Sequence, residues 1–342
     1  MAKVLFIGDP HLKINRFDLA RQFLAWLNSV ILIEKPDIVV NLGDTFDTHA
    51  VLRSEVLNEF MAHVDLVLNN NMEYVYLVGN HDMYKPNDSK YHAMKSFKDR
   101  HPKLHIVDET QELFNITFVP YKHDPSLFPK STLPICVAHQ TFWGADYGSI
   151  LCKDGVEPQS ISGCEIIISG HIHKRQSLIS NGPKSIHVLY VGTPFSQGAA
   201  DVDQIKGITI FDTDTYKQTF IQCPLPSYKK MALYLSESFG SDDCYNEIEQ
   251  RIKGSKDHWI LEIDGPKPEI LSLLNSKKYK DLIKDVDVKV KTNFIDKEKK
   301  KVTIEVKTID SIITDYVNKV YSGSLDKAIL IKVAKELLYE PN

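Results

Sequence analysis

The first two thirds of the chain alternate short apolar runs with longer stretches that are apolar at every third or fourth position. Val4 to Ile7, Ile38 to Leu42, Val75 to Val78, Ile135 to Ala138 and Ile166 to Ser169 are apolar almost throughout, rich in Val and Ile, and each runs into a polar cluster. Such runs suit strands buried on both faces. Between them, Phe17 to Glu34 stops short of Pro36, and Leu52 to Leu68 sets Val56, Leu57, Phe60, Val64 and Leu68 on one helical face. The pattern predicts an α/β sandwich. From about Lys184 the helical spacing ends, and Ile186 to Val191, Gly207 to Phe211 and Gln218 to Gln222 read as further strands.

Two prolines between Cys223 and Pro226 suit neither a helix nor a central strand, so this segment reads as a linker. Beyond it Met231 to Leu235, Trp259 to Ile263 and Val286 to Val290 predict strands, and Asp242 to Lys253 and Glu269 to Ile283 predict helices, a small β-α-β-α-β unit. The charged run Asp296 to Lys301 reads as a solvated turn. After it Ile309, Ile312, Ile313, Tyr316, Val317 and Val320 recur at helical spacing, Ser322-Gly323 breaks the pattern, and Leu330, Val333, Ala334, Leu337 and Leu338 form a second stripe. Such stripes need an apolar partner, either this chain's own core or another protein. The expected domains are 1–225, 226–295 and a helical tail over 305–342.

A length of 342 residues accommodates two domains. With 43% hydrophobic and 25% charged residues, disordered and fibrous classes are excluded. The net charge of −4 gives no global nucleic-acid signature, so any DNA contact must be local. The five cysteines form no C-x-x-C pair, which points to buried thiols rather than a disulfide framework or a thiolate zinc site. No apolar run reaches the roughly 20 residues a bilayer requires, and the start shows no signal-peptide core, so a cytosolic protein without membrane contact is expected.

The polar clusters carry the chemistry. The early strands lead into Gly8-Asp9-Pro10-His11, Gly43-Asp44-Thr45-Phe46-Asp47 and Gly79-Asn80-His81-Asp82, and later ones into His139 and Gly170-His171-Ile172-His173. Ligands gather outside the carboxyl ends of strands in α/β sheets, so these segments should converge on one rim. Taken singly, each Asp is more often a turn residue and each His a surface or hydrogen-bonded one. Convergence carries the inference. Carboxylates, imidazoles and an amide oxygen without thiolate suit Mn, Fe, Zn or Ni. One carboxylate shared between two such ions, roughly 3.5–4 Å apart, would clamp an in-line phosphoryl displacement.

In order, these blocks read D-x-H, G-D, G-N-H-D, H and G-H-x-H, and they resemble the signature of the calcineurin-like metallophosphoesterase superfamily over roughly residues 1 to 200. The form Gly43 to Asp47, the segment Tyr190-Val-Gly-Thr-Pro194, the small unit after the linker and the amphipathic tail most resemble its SbcD-type (Mre family) branch of DNA double-strand-break-repair nucleases, in particular phage recombination endonuclease subunits. The resemblance implies a four-layer α/β/β/α sandwich with a small α+β cap and a C-terminal helical tail. It implies that Asp9, His11, Asp44 and His173 hold one ion, usually manganese with magnesium as the other choice, and that Asp44, Asn80, His139 and His171 hold a second. His81 would be the non-ligand catalytic histidine, and Asp82 would orient it. Some relatives carry a histidine three residues after the shared aspartate; here that place is Asp47, with His49 nearby.

The implied substrate is DNA, cut as a double-strand exonuclease and a single-strand endonuclease. The implied partner is an SbcC-type coiled-coil ATPase, bound by helices Ile309 to Tyr321 and Leu325 to Tyr339. A homodimer is common among the relatives, and the location is the cytoplasm, the host's if the chain is phage-encoded. Lys85, Lys90, Lys95, Lys98 and Arg100 are candidates for phosphate contacts, although solvated charges are the commoner case. Trp143 is a candidate for base stacking, with core packing the commoner role. Two other readings stand beside the nuclease. A phosphomonoesterase would usually carry Arg where Thr48 lies, and a non-catalytic assembly subunit would not need every ligand position filled.

Overall fold

Two six-stranded sheets face each other over most of the chain. The computed structural model describes residues 2–47, 49, 52–85, 88–148, 150–180, 185–236, 239–295, 314, 316–318, 321 and 326–339. These fall into two units, Met1–Asn293 and Phe294–Asn342. In the first, β1 (Lys3–Ile7) leads into α1 (Phe17–Glu34), β2 (Ile38–Asn41), α2 (Ser54–Asn69) and β3 (Glu73–Leu77). A hairpin of β4 (Met83–Lys85) and β5 (Asp88–His92) precedes β6 (Leu104–Val107), β7 (Gln111–Leu113), β8 (Ile116–Val119), β9 (Ile135–His139) and β10 (Ile166–Gly170). Then come β11 (Gln176–Ile179), β12 (His187–Tyr190), β13 (Gly207–Asp212) and β14 (Gln218–Gln222). One sheet runs β14-β13-β1-β2-β3-β6 and the other β11-β12-β10-β9-β8-β7. Their central strands β1-β2-β3-β6 and β12-β10-β9-β8 are parallel.

The consecutive apolar runs are explained by burial on both faces. In β1, Val4 and Phe6 point between the sheets, where Val40, Leu77, Phe118, Val137, Ile168 and Phe211 join them. Leu5 and Ile7 point the other way, onto Phe23, Leu27 and Ile31 of α1 and Phe60, Val64 and Val67 of α2. α1 ends where Lys35 turns left-handed (φ 47) and its N–H caps the Ile31 carbonyl; Pro36, next in the chain, has no N–H to carry the ladder on.

The outer face of the second sheet differs from a helical layer. Among the described residues its Cys136, Ala138, Ile167, Val188 and Tyr190 are covered by Phe128, Phe142, Val156 and Ile161, which lie on loops and 3-10 turns. The Tyr190 hydroxyl pins this covering, accepting the Phe142 N–H at 2.7 Å and donating to the Gln140 carbonyl at 3.2 Å. All five cysteines are buried, and none forms a disulfide.

A third sheet, β15 (Tyr228–Tyr234), β16 (His258–Gly265) and β17 (Val288–Phe294), carries α3 (Ser241–Ile252), α4 (Lys267–Asn275) and α5 (Lys277–Leu282) between its strands. It has a core of its own that includes Met231, Leu233, Ile248, Leu261, Ile263 and Ile270. The single helix expected over Glu269 to Ile283 is broken in two. Ser276 is extended (φ −62, ψ 143), and its hydroxyl accepts the Tyr279 N–H at 3.2 Å, capping α5. In the second unit α6 (Lys327–Tyr339) matches the last expected helix. The charged turn at 296–301 and most of the helix expected from Ile309 lie outside the described residues. No helix among the described residues is long and apolar enough to cross a membrane.

Phe118 is fully buried between the sheets. Phe118→Ala should therefore lower the unfolding free energy by about 3–5 kcal/mol in a urea titration; a negligible loss would show that the two sheets do not share a tightly packed interior.

Candidate metal centre

Register sets up the site. Ile7, Asn41 and Tyr76 lie side by side in the first sheet, and His139 lies beside Gly170 in the second, so the loops that follow emerge together. The first sheet delivers Asp9, His11, Asp44 and Asn80, and the second delivers His139, His171 and His173.

His139 donates from Nδ1 to the Leu42 carbonyl at 2.7 Å, so that Nε2 faces a cation once its own proton is displaced. That Nε2 lies 3.0 Å from Asn80 Oδ1 and 3.3 Å from both Asp44 Oδ2 and His171 Nδ1. Asn80 Oδ1 is in turn 2.9 Å from His171 Nδ1. Four donor atoms thus surround one point. Beside it, His11 Nε2 and His173 Nε2 approach to 3.0 Å, and His11 Nε2 is 4.0 Å from Asp44 Oδ2. Asp9 Oδ1 accepts the His171 N–H at 2.8 Å, while Asp9 Oδ2 and His11 Nδ1 are buried without a hydrogen-bond partner among the described residues. An orphaned buried carboxylate oxygen next to two converging imidazoles is costly unless a cation joins them. This donor set fits divalent ions.

The backbone is bent to present these groups. His11 (φ 42), Asp44 (φ 50) and His171 (φ 79) are left-handed, a conformation that Asp and His tolerate better than most residues. Gly43 (φ 99) lies where the loops after β2 and β3 cross: a Cβ there would sit 2.7 Å from the Gly79 nitrogen.

Asp82 takes a different part from the one expected. Its carboxylate accepts N–H bonds from Gly79 at 2.9 Å, Asp44 at 2.9 Å and Thr45 at 3.0 Å, so it holds the loop of Asp44 rather than the ring of His81. Burial first, then the charge of Asp44, pushes Asp82 up to about 7. His81 is placed otherwise. Its N–H donates to Asp44 Oδ1 at 2.7 Å, and its ring lies 4.8 Å edge-on from His11, 4.5 Å in a stack on His49, and 3.4 Å by Nδ1 from the Asp47 carbonyl. His49 Nδ1 reaches the Met83 carbonyl at 3.2 Å. Asp47 pairs with Lys13 at 2.8 Å. Thr48 lies outside the described residues.

Burial lowers His11 and His171 to about 3, keeping both neutral as metal ligands must be. At Asp44 burial works upward and the charge of His139 outweighs it, so the carboxyl lies well below its usual range. At His139 burial works downward, and Asp44, followed by Asp9, overcomes it to hold the imidazole near 9. Burial raises Asp9.

Several supporting groups gave little or no signal in the sequence. Tyr121 lies 5.5 Å by ring from His171 and 6.1 Å from His139. Lys206 is buried and donates to the His173 carbonyl at 2.8 Å and to Asp201 at 2.7 Å, fixing the segment that carries His173. Asn41 Oδ1 accepts from the Gly43 N–H at 3.0 Å and the Thr45 hydroxyl at 3.1 Å; an amide ending an apolar strand was the available clue.

Three of the five candidate phosphate contacts are engaged within the chain. Lys98 and Lys95 donate to Asp108 at 2.6 and 3.0 Å, and Arg100 to Asp65 at 3.2 Å. Burial works to raise Asp108, and the bonds from Lys98 and Lys95 outweigh it, bringing the carboxyl down to about 2. Lys85 and Lys90 instead lie beside tyrosine rings. Trp143 is not in the core; it is 47% exposed and lines a cavity of about 610 Å³ with Gly144, Glu157, Pro158 and Ile179.

Residues 2–175 match the calcineurin-like phosphoesterase family model. The chain belongs to the calcineurin-like phosphoesterase family. Its relatives include the phosphoesterase candidates 078R of Invertebrate iridescent virus 3 (30% identity over 51% of this chain and 53% of that protein) and 244L of Invertebrate iridescent virus 6 (35% identity over 51% and 65%). The match thus spans between half and two thirds of their length. Exonuclease subunit 1 of Enterobacteria phage T4 is similar over 99% of both chains at 21% identity. Divalent metal ions are the cofactors this phosphoesterase family implies, in keeping with the donor set around Asp44.

Two outcomes are expected from this phosphoesterase geometry. Because a cation must displace the proton held on His139, Mn²⁺ affinity measured by calorimetry should fall on acidification below pH about 9. Asp82→Asn places an amide N–H₂ among three backbone donors, and should lower that affinity about 10- to 100-fold; unchanged affinity would show that the Asp44 loop holds its shape without the carboxylate.

Proposed function

We propose that the chain is a metal-dependent DNA nuclease that hydrolyses phosphodiesters with two divalent ions, manganese in the first place, bridged by Asp44. The observation that carries the reading is the position of Asp44 Oδ2, 3.3 Å from His139 Nε2 and 4.0 Å from His11 Nε2. Asp9, His11, Asp44 and His173 would hold one ion, and Asp44, Asn80, His139 and His171 the other. Divalent ions in these places would neutralise phosphate charge and would bring the ionisation of water from 15.7 to near pH 7. The protein supplies the rest. With Nδ1 turned to the Asp47 carbonyl, His81 would have Nε2 left to donate a proton to the leaving oxygen. Similarity to a phage exonuclease subunit along the whole chain supports the nuclease reading, in which DNA would be cut both from duplex ends and within single strands, in the host cytoplasm.

The same similarity, to one subunit of an exonuclease, supports a complex with a partner chain; in our reading that complex is SbcCD-like, with residues 1–225 as the nuclease domain and 226–295 as a cap over DNA. The tail at 305–342 would dock on an SbcC-type coiled-coil ATPase. In α6, Ile329 is 64% exposed and Val333 45%, apolar surface of the kind a partner helix covers.

The purified chain should cleave linear duplex and circular single-stranded DNA with Mn²⁺ while acting poorly on p-nitrophenyl phosphate; the reverse preference would make it a phosphomonoesterase. His81→Ala should retain Mn²⁺ yet lose about 10²- to 10⁴-fold in diester cleavage, and loss of the metal as well would make His81 a ligand. Deleting residues after Thr308 should abolish ATPase binding and spare single-strand cutting; full-affinity binding by the truncated chain would refute the docking role.

A further inference from the structure

The hairpin β4–β5 begins two residues after His81, and its base is tied to the centre: His49, stacked on His81, also meets the Met83 carbonyl at 3.2 Å. Its pairing is irregular. Met83 lies opposite His92 and Lys85 opposite Asp88, so Tyr84 alone faces the three residues Ser89, Lys90 and Tyr91. A regular strand would turn alternate side chains inward, whereas bulges re-aim them. Here Ser89, Lys90 and Tyr91 are all exposed. Tyr84 is 54% exposed and Tyr91 56%, unusual for large rings beside a polar centre. Each has a lysine over its face, Lys85 at 5.4 Å from the Tyr84 centroid and Lys90 at 5.2 Å from the Tyr91 centroid. Neither lysine pairs with an acidic side chain among the described residues, unlike Lys95, Lys98 and Arg100 farther along.

We infer that the β4–β5 hairpin is a single-strand DNA subsite, in which Tyr84 and Tyr91 stack on bases flanking the scissile phosphate and Lys85 and Lys90 meet the backbone. The inference rests on the nuclease reading and names where that substrate is held. Aromatic rings are tolerant of base identity because every base has a π-face, and alternating cations track the phosphates. Exposed tyrosines beside lysines that have no acidic partner among the described residues are the complement of an anionic chain with apolar faces. An acidic peptide would have no use for the rings.

The test is fluorescence anisotropy of labelled oligo(dT) with the full chain, Ca²⁺ replacing Mn²⁺ to prevent cutting. Y84A/Y91A should bind about 10- to 100-fold more weakly than wild type, and Y84F/Y91F should restore binding. Wild type should bind an abasic oligomer about as weakly as Y84A/Y91A binds oligo(dT). K85Q/K90Q should flatten the salt dependence of binding. Circular dichroism checks that each variant is folded. Wild-type affinity in a folded Y84A/Y91A protein that still cuts DNA would overturn the hairpin subsite alone. A wild-type chain that neither binds nor cuts oligonucleotides would overturn the nuclease reading with it.

Discussion

The metal centre depends on one buried carboxylate that does not face it. Asp82 gathers the N–H groups of Gly79, Asp44 and Thr45, and so locks together the loops that leave two neighbouring strands. With that lock in place Asp44 can hold a left-handed backbone and turn Oδ1 to the His81 N–H and Oδ2 to His139. A carboxylate with three backbone donors is well satisfied even where water is excluded. The same arrangement sets two acidic groups close in a dry place, which is why Asp82 is pushed upward while Asp44, next to His139, is held down.

Much of the fold was legible because burial on both faces leaves a plain mark. β1, β2, β3, β9 and β10 are near-continuous apolar runs, and the polar residues that interrupt them sit where the strands end. The convergence of the candidate ligands was legible for the same reason, since residues such as Asp44 and His139 have no role in a core. Two hidden strands, β6 and β8, are buried but only four residues long; the other hidden elements have one-sided or little burial. β4, β5, β7 and β11 are short and half exposed, with no alternation strong enough to stand out. Ser276 divides a helix by a cap that one residue supplies, inside a pattern that reads as continuous.

The roles of individual polar residues were harder to read than their positions. Asp82 follows His81 in the chain, which suggested a partner for its ring; the turn instead sends the carboxylate back beneath Asp44. Lys95, Lys98 and Arg100 looked like a basic patch in sequence because their acidic partners, Asp108 and Asp65, come from distant segments. Lys206 shows the converse: a lone lysine before a strand proves to be a buried strut under His173. Contacts between remote segments decide such roles, and no local pattern encodes them.

The provenance of the ligands has a mechanical consequence. Asp9, His11, Asp44 and Asn80 come from one sheet and His139, His171 and His173 from the other, joined directly by the bond from His139 to Leu42. An ion held by both sets would be a rivet through both halves of the sandwich, and its binding energy would add to the cohesion of the folded state. Chelation would therefore do more than silence chemistry: it would withdraw a fastening at the open end of the layers.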